Sequence, residues 1–152
     1  MTITLEKASL ADLETLHKIE QQCFTKEAFS KKQIASLLKA PNSVSFVAKS
    51  DGEIAGFIIG LIYDEDKSRV GHIFTIDVAL EHRRKGVGMK LLERAEKELA
   101  DVDAKTCYLE VRTDNVAAKE LYKKRSYEEV ELLKDFYYRV GHGIRLKKSL
   151  LL

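Results

Sequence analysis

The stretch Arg83-Arg84-Lys85-Gly86-Val87-Gly88 follows an apolar strand pattern, Arg69 to Leu80, and opens an amphipathic helix reaching about Asp101. In that helix Val87, Leu91, Leu92, Ala95 and Leu99 recur at helical spacing and face inward. The first turn of a helix leaves backbone N–H groups without intrahelical partners, and the helix dipole makes that end positive. Gly86 and Gly88 lack side chains, so a ligand can approach the backbone closely. Arg83, Arg84 and Lys85 surround that point with positive charge. The functional reading is an anion site suited to a pyrophosphate. The plainer reading is a solvated basic turn with a glycine helix start. The GxxxxGK[ST] spacing of a P-loop is absent, and a lone GxG does not make a dinucleotide fingerprint.

Upstream, Met1 to Lys7 alternates and reads as a strand, and Ser9 to Asp12 caps a helix running to about Cys23. Leu10, Leu13, Leu16 and Ile19 give that helix its apolar face. Phe24 to Phe29 is a break, and Ser30 to Gln33 caps a second helix ending before Pro41. Ser43 to Ser50 and Glu53 to Tyr63 form a hairpin through Asp51-Gly52, with Gly56 and Gly60 as bulge sites. Downstream come a strand over Thr106 to Arg112 and a helix over Asn115 to Arg125. Further strands cover Glu128 to Leu133 and Tyr138 to Leu150. An antiparallel run followed by strand–helix–strand–helix implies one α/β sheet with helices on both faces. The 152 residues are expected to form a single domain, 1–152.

Composition is that of a globular protein: 45% hydrophobic, 33% charged, formal net charge +2. The charge is too small and too interspersed to argue for nucleic acid, yet a basic excess helps bind an anionic cofactor. Cys23 and Cys107 do not make a disulfide framework, and no Cys/His cluster has metal spacing, so no metal is expected. Cys107 reads as a core thiol. A signal pattern and a long apolar run are both missing. The expectation is a cytoplasmic protein without a membrane anchor.

Arg83-Arg84-Lys85-Gly86-Val87-Gly88 resembles the [RQ]-x-x-G-x-[GA] signature of the GNAT acetyltransferase superfamily. Ile73 to Val78 resembles that family's fourth strand. Leu109-Glu110-Val111-Arg112, Asn115 and Ala118 to Tyr122 resemble its fifth strand and the following helix. The three blocks occur in the family's order and spacing, and the resemblance spans essentially the whole chain. Within the superfamily the chain is similar to N-terminal protein acetyltransferases, among them the archaeal enzymes and the bacterial ribosomal-protein alanine acetyltransferases. The resemblance implies a mixed, largely antiparallel twisted sheet with helices on both faces. It implies acetyl-CoA as donor and transfer to the α-amino group of protein N-termini by direct attack in a ternary complex. Ribosomal or nascent chains would be acceptors.

Such a reaction must hold the thioester, remove a proton from the ammonium, stabilise an oxyanion and protonate the departing thiolate. The resemblance places the pyrophosphate on the backbone from Arg84 to Met89, through Lys85, Gly86, Val87 and Gly88, with Arg83 beside it. It places pantetheine along the strand edge at Val78. Asn115 matches a pantetheine contact, and by itself reads equally as a helix N-cap. Tyr122 matches the general acid near the sulfur, its alternative being core packing. Glu110 shares a strand face with Tyr108 and Arg112, where a half-buried carboxylate of raised pKa would act as a base. Its alternative is a salt bridge. His72 matches a water-mediated base position in the N-terminal enzymes, and imidazole suits that task. Its alternative is an edge-strand histidine making a hydrogen bond. Of the two, Glu110 is expected to contribute more.

On the acceptor side Phe24 and Glu27 fall in the family's substrate loop, which here lacks its usual proline. Tyr137 and Tyr138 resemble paired tyrosines that hold a peptide backbone, and aromatic strand packing is their alternative. Arg139 to Gly143 departs from the family's acidic segment, with Gly141 and His142 making a different loop. Competing functions are a GNAT that acetylates lysine or a small amine, and a non-catalytic CoA-binding module. The substrate loops lack the dense acidic cluster a small polyamine would favour. The filled catalytic positions argue against the module.

Overall fold

The computed structural model describes residues 2–137 and 141–150. β1 (Ile3–Lys7) pairs with β2 (Ser43–Ser50), and β2 turns through Asp51-Gly52 into β3 (Glu53–Glu65). β3 pairs in turn with β4 (Ser68–Val78). Between β1 and β2 lie α1 (Leu13–Cys23) and α2 (Lys31–Lys39). α2 starts with the reciprocal cap expected from the sequence: Gln33 N–H donates to Ser30 Oγ at 3.1 Å, and Ser30 N–H to Gln33 Oε1 at 2.8 Å. After β4 come α3 (Val87–Asp101), β5 (Thr106–Arg112), α4 (Val116–Lys124), β6 (Glu128–Tyr137) and β7 (Gly141–Ser149).

Among the described residues the strands form one seven-stranded sheet in the order β1-β2-β3-β4-β5-β7-β6. Only β4 and β5 run parallel; the other pairs are antiparallel. Period-2 alternation sends Val47, Phe57 and Ile59 to one face, against Leu16 and Ile19 of α1 and Ile34 of α2. Phe46, Ile58 and Leu109 go to the other, against Leu91, Leu92 and Leu99 of α3 and Tyr122 of α4. The sheet is thus mixed, largely antiparallel and covered by helices on both faces. Among the described residues no helix is long and apolar enough to cross a membrane.

Several boundaries differ from the sequence reading. β3 continues past Tyr63 to Glu65 and joins β4 through Asp66 and Lys67, which have φ of 47° and 67°. This turn is tight and left-handed without a glycine, so its usual signal is missing. β4 ends at Val78, because the next residues wind into a 3₁₀ turn over Leu80–His82. Gly141 and His142 belong to β7, and His142 Nδ1 accepts the Asp135 N–H at 2.8 Å. The bulges lie beside the expected glycines: the register skips Ala55 next to Gly56, and skips Phe74 of β4 opposite Ile59 and Gly60. The second bulge puts Phe74 and Thr75 on the same face, where Phe74 meets Phe29 and Thr75 meets Glu20.

β4 and β5 pair only over Val70–Ile73 and Thr106–Leu109. Beyond the bulge they separate, opening a slot between the end of β4 and the end of β5. Ala79 N–H donates to Ala55 O on β3, so strand alternation turns the N–H and C=O of Val78 toward the slot.

Candidate active site

One end of the slot is the basic turn. Arg84 and Gly86 have φ of 64° and 78°, both left-handed, and Gly86 is the N-cap of α3. Lys90 N–H makes the first helical bond, to Gly86 O at 3.1 Å. The amides of Val87, Gly88 and Met89 precede it and lack intrahelical acceptors. Val87 is buried in the core and anchors the turn, and a Cβ on Gly88 would sit 3.3 Å from Leu121 Cδ2. A concave run of amides at a helix N-terminus, edged by exposed Arg84 and Lys85, fits a pyrophosphate. Arg83 is engaged with the end of β4 and with α1. Its Nε donates to Val78 O at 3.2 Å and its Nη2 to Cys23 Sγ at 3.4 Å. Its side chain here braces the end of β4 against α1.

The other end is a cavity of about 350 Å³. Cys23, Phe24, Glu27 and Phe29 wall it from the α1–α2 connection, and Phe74 to Ile76 from β4. Glu110 to Arg112 wall it from β5, Asn115, Ala118 and Tyr122 from the start of α4, and Tyr137 from β6. Phe24, Glu27, Glu110, Asn115, Tyr122 and Tyr137, distant in sequence, thus share one space. Tyr138 lies outside the described residues.

His72 does not itself line this space; it bonds directly to Glu110, which does, Nε2 to Oε1 at 2.6 Å. Arg145 Nε of β7 donates to the second oxygen, Oε2, at 3.0 Å. Tyr108 stacks on the imidazole at 4.5 Å, and Phe74 lies 4.3 Å away. Burial alone would raise the Glu110 carboxyl, but the hydrogen bonds and charges of His72 and Arg145 outweigh it and hold the group below its ordinary value. The expectation of a raised pKa is corrected. Glu110 is an ionised carboxylate, which only accepts, so His72 Nε2 carries the proton they share.

Asn115 does what its local reading requires: Oδ1 accepts the Ala118 N–H at 3.1 Å and caps α4, while the residue also lines the cavity. Tyr122 is 7% exposed on the cavity floor, and burial pushes its phenol far up, so it stays a proton donor. Burial pushes Tyr137 up to about 12. Glu27 accepts from Arg112 Nη1 at 3.3 Å, and Arg112 also clasps Asp114 at 2.8 and 3.0 Å. These contacts tie the α1–α2 connection to the end of β5. Cys23 Sγ donates to Val78 O at 3.4 Å, and burial followed by Asp77 pushes this thiol up to about 11. It is protonated at neutral pH and is a poor nucleophile.

Sequence reasoning passed over Arg145, Phe74 and Glu20. Arg145 and Phe74 carry no local signal. Glu20 had one: it interrupts an apolar helix face with Leu16, Ile19 and Cys23, yet is 1% exposed. Outside the cavity, Glu53, Glu81 and His82 offer ligand-type atoms within 4.8 Å of one another. His82 Nε2 faces Glu53 Oε2 at 3.9 Å there.

A basic turn at a helix N-terminus, a strand split at a bulge and a cavity lined by a carboxylate and a buried phenol are the parts an acetyl-CoA-dependent transferase needs. The comparisons agree. The model of the acetyltransferase (GNAT) family matches residues 13–127. An N-alpha-acetyltransferase of Sulfurisphaera tokodaii is 32% identical over 142 residues, covering 88% of this chain and 84% of that protein. The [ribosomal protein bS18]-alanine N-acetyltransferase of Escherichia coli is 28% identical over 134 residues, covering 88% and 86%. The crystal structure of Ard1 from Thermoplasma volcanium superposes with a TM-score of 0.92 at 26% identity, over 100% of both chains. By its signature turn, its split sheet and these relatives, the chain belongs to the acetyltransferase (GNAT) family.

Proposed function

We propose that this acetyltransferase acetylates the α-amino group of protein N-termini, ribosomal or nascent chains among them, by direct transfer in a ternary complex. One observation carries the reading: Glu110 is held ionised between His72 and Arg145, so the base is an imidazole backed by a carboxylate. Such a base suits an amine that is already partly deprotonated near neutral pH. An α-amino group has a pKa near 8, whereas lysine lies near 10.4. Lysine would need about 3 kcal/mol more help. Relatives named N-alpha-acetyltransferase support the same choice.

Acetyl-CoA supplies an activated acetyl thioester. The amides of residues 84–89, with Arg84 and Lys85, hold its pyrophosphate, and Val78 and Asn115 line the course of its arm. His72 Nδ1 takes the ammonium proton, directly or through one water, while Glu110 stabilises the resulting imidazolium and Arg145 keeps Glu110 in register. Tyr122 donates a proton to the departing sulfur. Phe24, Glu27 and Tyr137 shape the acceptor end. The protonated Cys23 argues against an acyl-cysteine route. The test is acetyl-CoA consumption with a free-N-terminus peptide and with its N-terminally blocked, lysine-bearing counterpart. The free peptide is expected to be the faster acceptor, and a preference for the blocked one would overturn the assignment.

A further inference from the structure

Two buried carboxyl groups and a hydroxyl, unused by the chemistry above, form a chain of hydrogen bonds from β4 into the loop between α1 and α2. Thr75 Oγ1 lies 2.5 Å from Asp77 Oδ1 and 3.2 Å from Glu20 Oε1. Glu20 Oε2 accepts the Phe29 N–H at 3.0 Å. Glu20 and Asp77 are each 1% exposed.

A hydroxyl has one proton, so Thr75 can donate to only one of the two carboxyls; the other contact needs a proton from the acid. Two dry carboxylates sharing one hydroxyl cannot both stay ionised. Burial, and then the hydrogen bond and charge of Glu20, push Asp77 well above its ordinary 3.8. Asp77 therefore keeps the proton and donates to Thr75, Thr75 donates to the Glu20 carboxylate, and Glu20 takes the loop amide. The charged or titratable neighbours that act on this group come from three elements: Glu20 and Cys23 from α1, Arg83 from the turn after β4, and Tyr122 from α4. The adjoining β3 residue is the apolar Phe57. Arg83 draws Asp77 down, but by less than burial raises it.

We propose that Asp77, acting through Thr75 and Glu20, is the positioning residue that anchors Phe29 and with it the acceptor-binding loop. This rests on reading the cavity as the acceptor site. Phe29 stands edge-on to Phe74 at 6.5 Å, and Phe74 lies beside His72, so the anchor sets where an acceptor's first residue meets the base. The phosphate cradle lies at the other end of the slot and does not depend on it.

The test uses the full chain with Asp77→Ala, Thr75→Val and Asp77→Asn. Hydrogen exchange at the Phe29 amide is followed without substrate, and KM is measured for a free-N-terminus peptide and for acetyl-CoA. Asp77→Ala and Thr75→Val are expected to speed Phe29 exchange and raise the peptide KM roughly threefold to tenfold, the loss of one buried hydrogen bond. The acetyl-CoA KM should rise less than the peptide KM, because the phosphate cradle lies at the other end of the slot. Asp77→Asn, whose amide donates in place of the acid proton, should recover most of both losses. In the unaltered protein, a pH high enough to remove the Asp77 proton sets two carboxylates against one hydroxyl. Phe29 protection should then fall beyond the intrinsic exchange rate, and Asp77→Asn should not show that fall. Should Asp77→Ala fail to fold, this pH comparison decides. Unchanged Phe29 protection in the variants, or none of the alkaline loss, would sink the anchor whatever the acceptor is. A loosened Phe29 with no change in peptide KM would leave the anchor standing and remove its role in acceptor binding. An equal rise in both KM values would replace positioning with general destabilisation.

Discussion

His72 on β4 and Glu110 on β5 meet at 2.6 Å although the parallel register sets His72 opposite Tyr108. The contact is diagonal, two residues along the neighbouring strand on the same face. It joins two residues that, taken singly, were rival bases into one hydrogen-bonded unit, in which the proposed mechanism has the imidazole accept and the carboxylate orient.

His72→Ala should therefore lower kcat by about 10²–10⁴-fold, the usual range for general acid–base catalysis. Glu110→Gln, which keeps the ring partly in place, should cost less. Both losses should shrink as pH rises above about 8 and the α-amine deprotonates unaided. Rate–pH profiles of both variants check this. A larger loss from Glu110→Gln would make the carboxylate the base.

The pair also has an acid signature. Glu110 is held below its ordinary 4.5, so its contribution to stability is complete above that value and is lost as pH falls through the depressed folded value. Thermal unfolding between pH 6 and 2 should show Glu110→Gln losing less stability on acidification than the unaltered protein.

Tyr122 stays protonated because it is buried, and its ring also packs on Tyr127 at 5.9 Å. Tyr122→Phe keeps the ring and removes the proton. It should lower turnover at least about tenfold, toward the lower end of general-acid effects, with acetyl-CoA affinity unchanged. Single-turnover rates and calorimetric binding separate the two quantities.

At the proposed phosphate cradle, Arg84 and Lys85 are exposed, whereas Arg83 is engaged with Val78 and Cys23. Charge reversal at Arg84 or Lys85 should weaken acetyl-CoA binding roughly tenfold, the worth of one charged hydrogen bond. The loss should diminish at high salt. Gly88→Glu should weaken binding further, and also destabilise the fold, because its Cβ would crowd Leu121. Titration calorimetry in two salt concentrations distinguishes these effects.

Away from the site, Glu96 of α3 is buried and holds Arg125 at 2.5 Å, Lys148 at 2.7 Å and the Tyr127 hydroxyl at 3.0 Å. Glu96→Ala leaves two cations facing each other without their acid and should cost about 3–5 kcal/mol. Chemical denaturation measures it, and the loss should appear without a change in either KM at temperatures where the variant is folded.

The amino-acid sequence by itself determined the features that local physics specifies. The turn Arg84 to Gly88, the caps at Ser30 and Asn115, the inward face of α3 and the alternating faces of β5 are each set by neighbours within a few residues. The glycine-free turn at Asp66 and Lys67 shows the limit of that signal, since its left-handed backbone is imposed by the strands it joins. Tertiary structure alone decided the electrostatics. Whether Glu110 is raised or lowered depends on Arg145 arriving from β7 and His72 from β4, and burial acting alone would have given the opposite sign. Asp77 reads as a polar break in an apolar strand, and only the approach of α1 sets Glu20 across Thr75 from it. A side chain's charge state belongs to everything within a few ångströms of it, and in this fold those neighbours are brought together from distant parts of the chain.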